Sequence, residues 1–252
     1  MPILHELTDN ILRIEISRPE KRNTLDAVML ESFTELLIKA SNDENVRAVF
    51  IHAQPGIFCA GGDLAEQLSE PNASDDSVTG RFIAALSDCV KPVVACVAGP
   101  AVGLGVTLLQ YCDLVYAGEK TLFSLPFTAL GLTPRYGVSL LTLLNAGYHK
   151  AAEKILLSEP ITAPEALQMR LISGIFPDDE LYEKSWARAE RLSLLPPTAV
   201  QGAKQVLRAA WSTRLGVIKT AEAETFAQAA ATPEAKEACS AFLAGRMPNF
   251  KK

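Results

Sequence analysis

Residues 46–64 read VRAVFIHAQPGIFCAGGDL. Val46 to Ala53 is almost continuously apolar, the pattern of a strand covered on both faces. FCAGGDL (58–64) follows, and its paired glycines, Gly61 and Gly62, let the backbone turn tightly and approach a ligand with no Cβ in the way. Backbone N–H groups exposed by such a turn can hold an anion, including one that exists only during a reaction.

The pattern returns at PVVACVAGPAVGLGVTLLQYC (92–112): a buried strand through residue 98, a glycine-rich turn at 99–105, then an apolar helix. If the two turns are neighbours in space, amides from both can point at one oxygen, and a helix N-terminus adds positive potential. GLG at 103–105 is not a dinucleotide fingerprint, because the full G-x-G-x-x-G is absent.

Around these units ILRIEIS (11–17) alternates as a half-exposed strand does. The polar loop SRPEKRN leads to Thr24, the expected N-cap of a helix with an apolar stripe at Val28, Leu30, Phe33, Leu36 and Leu37. Residues 69–78 read as a polar loop and 79–89 as a helix, while DLVYAG (113–118) and TLFS (121–124) read as strands. From about 137 the pattern is helical, with a capping box at TAPE (162–165) and one last strand at GIF (174–176). Strands alternating with helices, then helices alone as far as Gly245, indicate an α/β core with a helical C-terminal portion.

The 252 residues suit one large domain, and 48% hydrophobic with 21% charged residues is ordinary for a buried core. A net charge of −5 argues against general nucleic-acid binding and a membrane-surface role. Cys59, Cys89, Cys96, Cys112 and Cys239 are odd in number and scattered, which suggests reduced thiols. With His5, His52 and His149 far apart, no metal site is expected. MPILHELTDN carries no secretion signal and no stretch is apolar enough to span a bilayer, so the expected location is cytoplasmic.

SRPEKRNTLD, FCAGGDL, KPVVACVAGPAVGLG, CDLVYA, PFTALGL and FLAGRMPNF occur in that order over nearly the whole chain. In these motifs the sequence resembles the crotonase family, the enoyl-CoA hydratases and isomerases. GPAVGLGVTLL and LPFTALGLTPRYG look most like the branch that converts 3-enoyl-CoA to 2-enoyl-CoA. The resemblance implies an α/β fold of the ClpP/crotonase type: a spiral of β-β-α units over 1–195 and a helical trimerisation segment over 196–252. It implies an acyl-CoA substrate, so that coenzyme A arrives as part of the substrate and no cofactor is bound permanently. It also implies a homotrimer or a dimer of trimers.

Carried over residue by residue, the resemblance makes the backbone amides of Ala60 and Leu104 the donors to the thioester oxygen. Ala60, Gly61, Gly62, Asp63 and Leu64 line the pocket towards the CoA end, with Asp63 fixing the loop. Lys21 and Arg22, in a basic cluster with Arg18, fall where the family meets the CoA nucleotide. The tail from Arg246 matches a segment that often approaches CoA from a neighbouring subunit.

The carboxylates of the family are missing. Hydratases keep glutamates at the positions of Thr107 and Phe127, and the isomerase branch keeps one where this chain has Arg135, within Pro134-Arg135-Tyr136-Gly137. An arginine stays protonated and cannot be a general base. Arg135 can instead bind a carboxylate or phosphate, and Tyr136 can donate a proton or orient such a group. Glu66, Glu70, Asp75 and Asp76 can serve as bases only if their loop folds over the pocket. Cys59 reads as a packing residue and His52 as a hydrogen-bonded core histidine. Three functions follow: an isomerase- or hydratase-like enzyme that stabilises an enolate, a decarboxylase or other enzyme of a carboxylated acyl-CoA, and a catalytically silent acyl-CoA binder.

Overall fold

A computed structural model describes residues 2–54, 56–64 and 76–250. In chain order its first elements are β1 (Ile3–Thr8), β2 (Ile11–Ile16), α1 (Ala27–Asn42), β3 (Ala48–Ala53), α2 (Val78–Asp88) and β4 (Val93–Val97). Next come β5 (Ala101–Val102), α3 (Leu104–Gln110), β6 (Leu114–Gly118), β7 (Leu122–Ser124), α4 (Val138–Ala146) and α5 (Tyr148–Leu157). The chain closes with β8 (Ile161–Thr162), α6 (Ala163–Gln168), β9 (Gly174–Phe176), α7 (Leu181–Ser193), α8 (Pro197–Ala230) and α9 (Pro233–Leu243).

One sheet runs β1-β2-β3-β4-β6-β9, parallel from β2 onward, and a smaller sheet runs β5-β7-β8. Every residue of β3 and β4 is buried because helices cover both faces. On one face Phe33 of α1 and Phe82 of α2 meet with ring centroids 5.1 Å apart. On the other, Phe50 and Val94 pack against Leu181, Trp186 and Ala189 of α7. The architecture is an α/β core followed by a helical C-terminal segment, as the resemblance implies.

Several expectations change in detail. Asp26, not Thr24, caps α1: its side chain accepts from the Met29 amide at 3.0 Å, while the Thr24 hydroxyl donates to the Lys21 carbonyl. Val28 lies off the buried stripe and is exposed. The capping box is present, with the Thr162 amide 3.0 Å from the Glu165 carboxylate. That amide and Lys154 hold the Glu165 carboxyl down at about 2. β1, β5 and β8 gave no hydrophobic signal and exist through ladder bonding to stronger neighbours.

α8 carries an apolar stripe at Leu207, Trp211, Leu215 and Ile218, only part of which faces outward. Leu215 is buried and Trp211 and Ile218 are half-buried on the chain's own core, while Leu207 is exposed. Lys204 fixes the docking: its ammonium lies 2.6 Å from the Asp113 carboxylate and donates to the Lys91 carbonyl, also at 2.6 Å. No described helix is long and apolar enough to cross a membrane.

Candidate active site

The two glycine turns lie side by side. Phe58 and Cys59 donate to the Pro100 carbonyl at 3.0 and 3.2 Å, and Val102 donates back to the Cys59 carbonyl at 2.9 Å. Gly61 has φ +110°, and a Cβ there would sit 3.2 Å from the Val102 carbonyl oxygen. Gly103 has φ 51° and ψ −111°, a conformation that suits glycine and sets the direction of the Leu104 N–H.

The amides of the first turn can be accounted for one at a time. Cys59 donates to Pro100, Ala60 to the Arg22 carbonyl at 3.1 Å, and Asp63 to the Leu25 carbonyl at 3.1 Å. The Gly61 N–H rests 3.4 Å from the Cys59 sulfur. Gly62 is left with no acceptor among the described residues. This corrects the expectation for Ala60, whose N–H is already taken by Arg22 and unavailable to a ligand. In the second turn Gly103 donates to the Ser124 carbonyl at 2.8 Å, and Leu104, the first residue of α3, has no acceptor among the described residues.

Gly62 and Leu104 line one cavity of about 590 Å³, within the range of small-ligand sites. Arg22, Ala60, Gly61, Asp63, Leu64, Arg135 and Tyr136 line it as well, so the structure brings together every expected site residue except Lys21, which stands exposed on the turn Pro19–Lys21. Arg18 is tied to Asp26 at 2.7 Å and to the Thr24 carbonyl, which makes it a brace of the loop. Phe226, Phe242 and Leu243, from the helical segment, close the cavity and were missed in the sequence.

The enoyl-CoA hydratase/isomerase model matches residues 6–252. The chain belongs to the enoyl-CoA hydratase/isomerase family. It is 34% identical over 242 residues to the 2,3-dehydroadipyl-CoA hydratase of Escherichia coli K12, covering 96% of this chain and 95% of that one. It is 32% identical to the enoyl-CoA delta isomerase 2 of Rattus norvegicus, over 85% of this chain and 56% of that one. An enoyl-CoA hydratase/isomerase from Pseudoalteromonas atlantica T6c superposes with a TM-score of 0.93 at 33% identity, with both chains fully covered. Pseudomonas aeruginosa OdaA gives 0.92 at 35%, covering 96% of this chain and 98% of that one.

Thr107, Phe127 and Arg135, which replace the glutamates expected of this family, all line the cavity. The Thr107 hydroxyl donates to the Gly103 carbonyl at 3.1 Å. Arg135 is 5% exposed, with its guanidinium carbon 4.8 Å from the Tyr136 ring centroid and 4.4 Å from that of Phe226. Among the described lining residues Asp63 alone bears a carboxylate. Glu66, Glu70 and Asp75 lie outside the described residues, and Asp76 is exposed.

The loop carrying Arg135 and Tyr136 is held from two sides. Tyr136 has φ 60°, an uncommon backbone state for a side chain of its size. Its carbonyl accepts from the Tyr111 hydroxyl at 2.6 Å, and its own hydroxyl lies 3.3 Å from that of Ser77. Glu222 of α8, buried, accepts from the amides of Gly137 at 2.5 Å and Ser139 at 2.8 Å and from the Ser139 hydroxyl. Glu222→Ala would leave buried N–H groups unmatched and is expected to cost about 1–3 kcal/mol, read as a lower urea midpoint at unchanged slope. Glu222→Gln, which keeps an acceptor, should lose less. An alanine variant as stable as the natural chain would show that Glu222 does not brace the loop.

Neither Cys59 nor His52 is among the residues that line this cavity. Complete burial pushes the Cys59 thiol up to about 12, so it is not a thiolate at neutral pH. His52 is buried beside Glu15, with Nε2 3.8 Å from the carboxylate. Nε2 has no hydrogen-bond partner among the described residues, while the ring keeps a hydrogen bond with the Ala53 backbone. Burial lowers the His52 pKa.

Proposed function

We propose that the cavity binds an acyl-CoA with its thioester oxygen between the amides of Gly62 and Leu104, and that these stabilise the enolate formed when a bond at the α-carbon breaks. The observation that carries this reading is the pair of amides, one from each glycine turn, left without acceptors among the described residues on the wall of one cavity. When the α-carbon gives up a proton to solvent, or a carboxylate as carbon dioxide, the bond electrons stay behind and move towards the thioester, and negative charge grows on its oxygen. Two fixed donors in a largely apolar cavity favour that charge over the neutral carbonyl. Family membership supports the substrate class, since the relatives named above are hydratases and isomerases of CoA thioesters.

Arg22, which is exposed and lines the cavity, is the contact for the CoA phosphates, with the neighbouring exposed Lys21 adding positive charge next to it in the chain. Hydration by a glutamate pair is disfavoured, because Thr107 and Phe127 cannot move the protons of water. The test is incubation of CoA thioesters in deuterated water, with mass spectrometry of the recovered acyl group. Deuterium at the α-carbon is expected. No exchange and no turnover of any thioester that binds would leave the silent-binder reading in its place.

The reading includes a trimer-based assembly in a reducing compartment, which the five free thiols suit. Val206, Leu207 and Val217 on α8 keep apolar side chains exposed and are available to a second copy. Sedimentation at micromolar concentration should give a multiple of three chains. A monomer would overturn this part.

A further inference from the structure

Among the described residues Arg135 is a buried cation with ring contacts but no hydrogen-bond or ion-pair partner. It makes no hydrogen bond or ion pair with any described residue, and the one carboxylate of the described lining, on Asp63, is not paired with it. A guanidinium carries five N–H donors, and buried charges in proteins are as a rule paired or hydrogen-bonded. Burial pulls the Arg135 pKa below the ordinary guanidinium value, the mark of lost hydration, although the group stays charged at neutral pH.

The two rings only partly offset that loss. An aromatic face attracts the cation through its quadrupole, and Tyr136 and Phe226 both lie within the usual range of about 6 Å. Ring faces do not accept the in-plane N–H groups. Those donors project from the edge of the guanidinium, and the ligand that matches the edge is a planar oxyanion bound through two parallel hydrogen bonds.

We infer that Arg135 recognises a second carboxylate on the acyl group, so that the preferred ligands are CoA thioesters of dicarboxylic acids over those of simple fatty acids. This rests on the acyl-CoA reading above and adds the substrate class. The apolar walls supplied by Leu130, Leu132 and Phe226 suit the methylene chain, and Arg135 is the lining cation buried among them. Arg22, the other arginine of the lining, is exposed, where the CoA phosphates would enter.

The experiment is calorimetric titration of the full chain with malonyl-, succinyl-, glutaryl- and adipyl-CoA. Each is paired with the monocarboxylic thioester of equal carbon count, and free CoA serves as a further arm. At least one dicarboxylic thioester should bind about 30-fold or more tightly than its counterpart, the scale of a buried charge pair. In Arg135→Leu that ratio should fall towards one, and Arg135→Lys, which keeps the charge but not the fork, should lie between. Should the leucine variant fail to fold, the ratio in the natural chain and its change in the lysine variant still decide. Equal affinity within every pair overturns the inference and leaves the acyl-CoA reading standing. A uniform loss by all thioesters and free CoA in the leucine variant would assign Arg135 to a CoA phosphate, which also overturns it. Binding of no thioester at all removes the acyl-CoA reading and the inference with it.

Discussion

Leu104→Pro is expected to lower turnover of a CoA thioester by about 10²–10³-fold, the usual effect of deleting one donor to a developing oxyanion. The substitution is chosen for its position. Leu104 opens α3, and its N–H has no intrahelical partner, so proline removes no helical hydrogen bond there. The leucine side chain is buried, however, and proline also removes part of its packing. Leu104→Ala separates the two effects, because alanine loses the side chain and keeps the amide. If the amide acts on the transition state, kcat/KM should fall far more in the proline variant than in the alanine variant, with kcat falling alongside it. Equal rates for the two variants would remove Leu104 from the oxyanion site and leave its side chain as the reason for any loss.

The difference between Ala60 and Gly62 marks how far the sequence could be read at this site. A glycine pair after a buried strand announces exposed amides, and both turns were legible for that reason. Which amide stays unpaired depends on carbonyls brought in from elsewhere: Arg22 and Leu25 each take one N–H of the turn, and Pro100 takes two. Their positions follow from tertiary packing and have no local signature. The same limit hid Glu222, which braces residues 85 and 83 positions away, and Phe226 and Phe242, which reach the cavity only because α8 and α9 fold back on the core. β1 is a different case. Its single buried residue gave no periodicity, yet Asp9-Asn10 beside ILRIEIS was a readable hairpin turn, and both residues take positive φ. The missing glutamates were legible outright, since Thr107, Phe127 and Arg135 occupy the cavity wall where the motifs had placed them.

Arg135→Glu should raise isomerisation of a simple 3-enoyl-CoA by about 10²–10⁴-fold over a slow natural chain, the contribution typical of a placed general base. The new carboxyl would stand on the wall of the cavity that also holds the Gly62 and Leu104 amides, so abstraction and enolate stabilisation would act on one bound thioester. Its surroundings set its proton affinity. Burial and the two nearby ring faces both disfavour the carboxylate, so its pKa should rise above the ordinary glutamate value. The base form is the deprotonated one, so activity should grow as pH rises through that elevated pKa and level off above it. The variant should also be less stable than the natural chain, because it loses both cation–π contacts. Arg135→Gln is the necessary control, since it removes the charge without adding a base. If the glutamine variant gains as much as the glutamate one, relief of the positive charge is the cause and no base has been installed. If the natural chain already isomerises the substrate quickly, and neither variant changes the rate, the working base lies elsewhere, with Asp63 and the carboxylates of residues 66–76 next to be replaced.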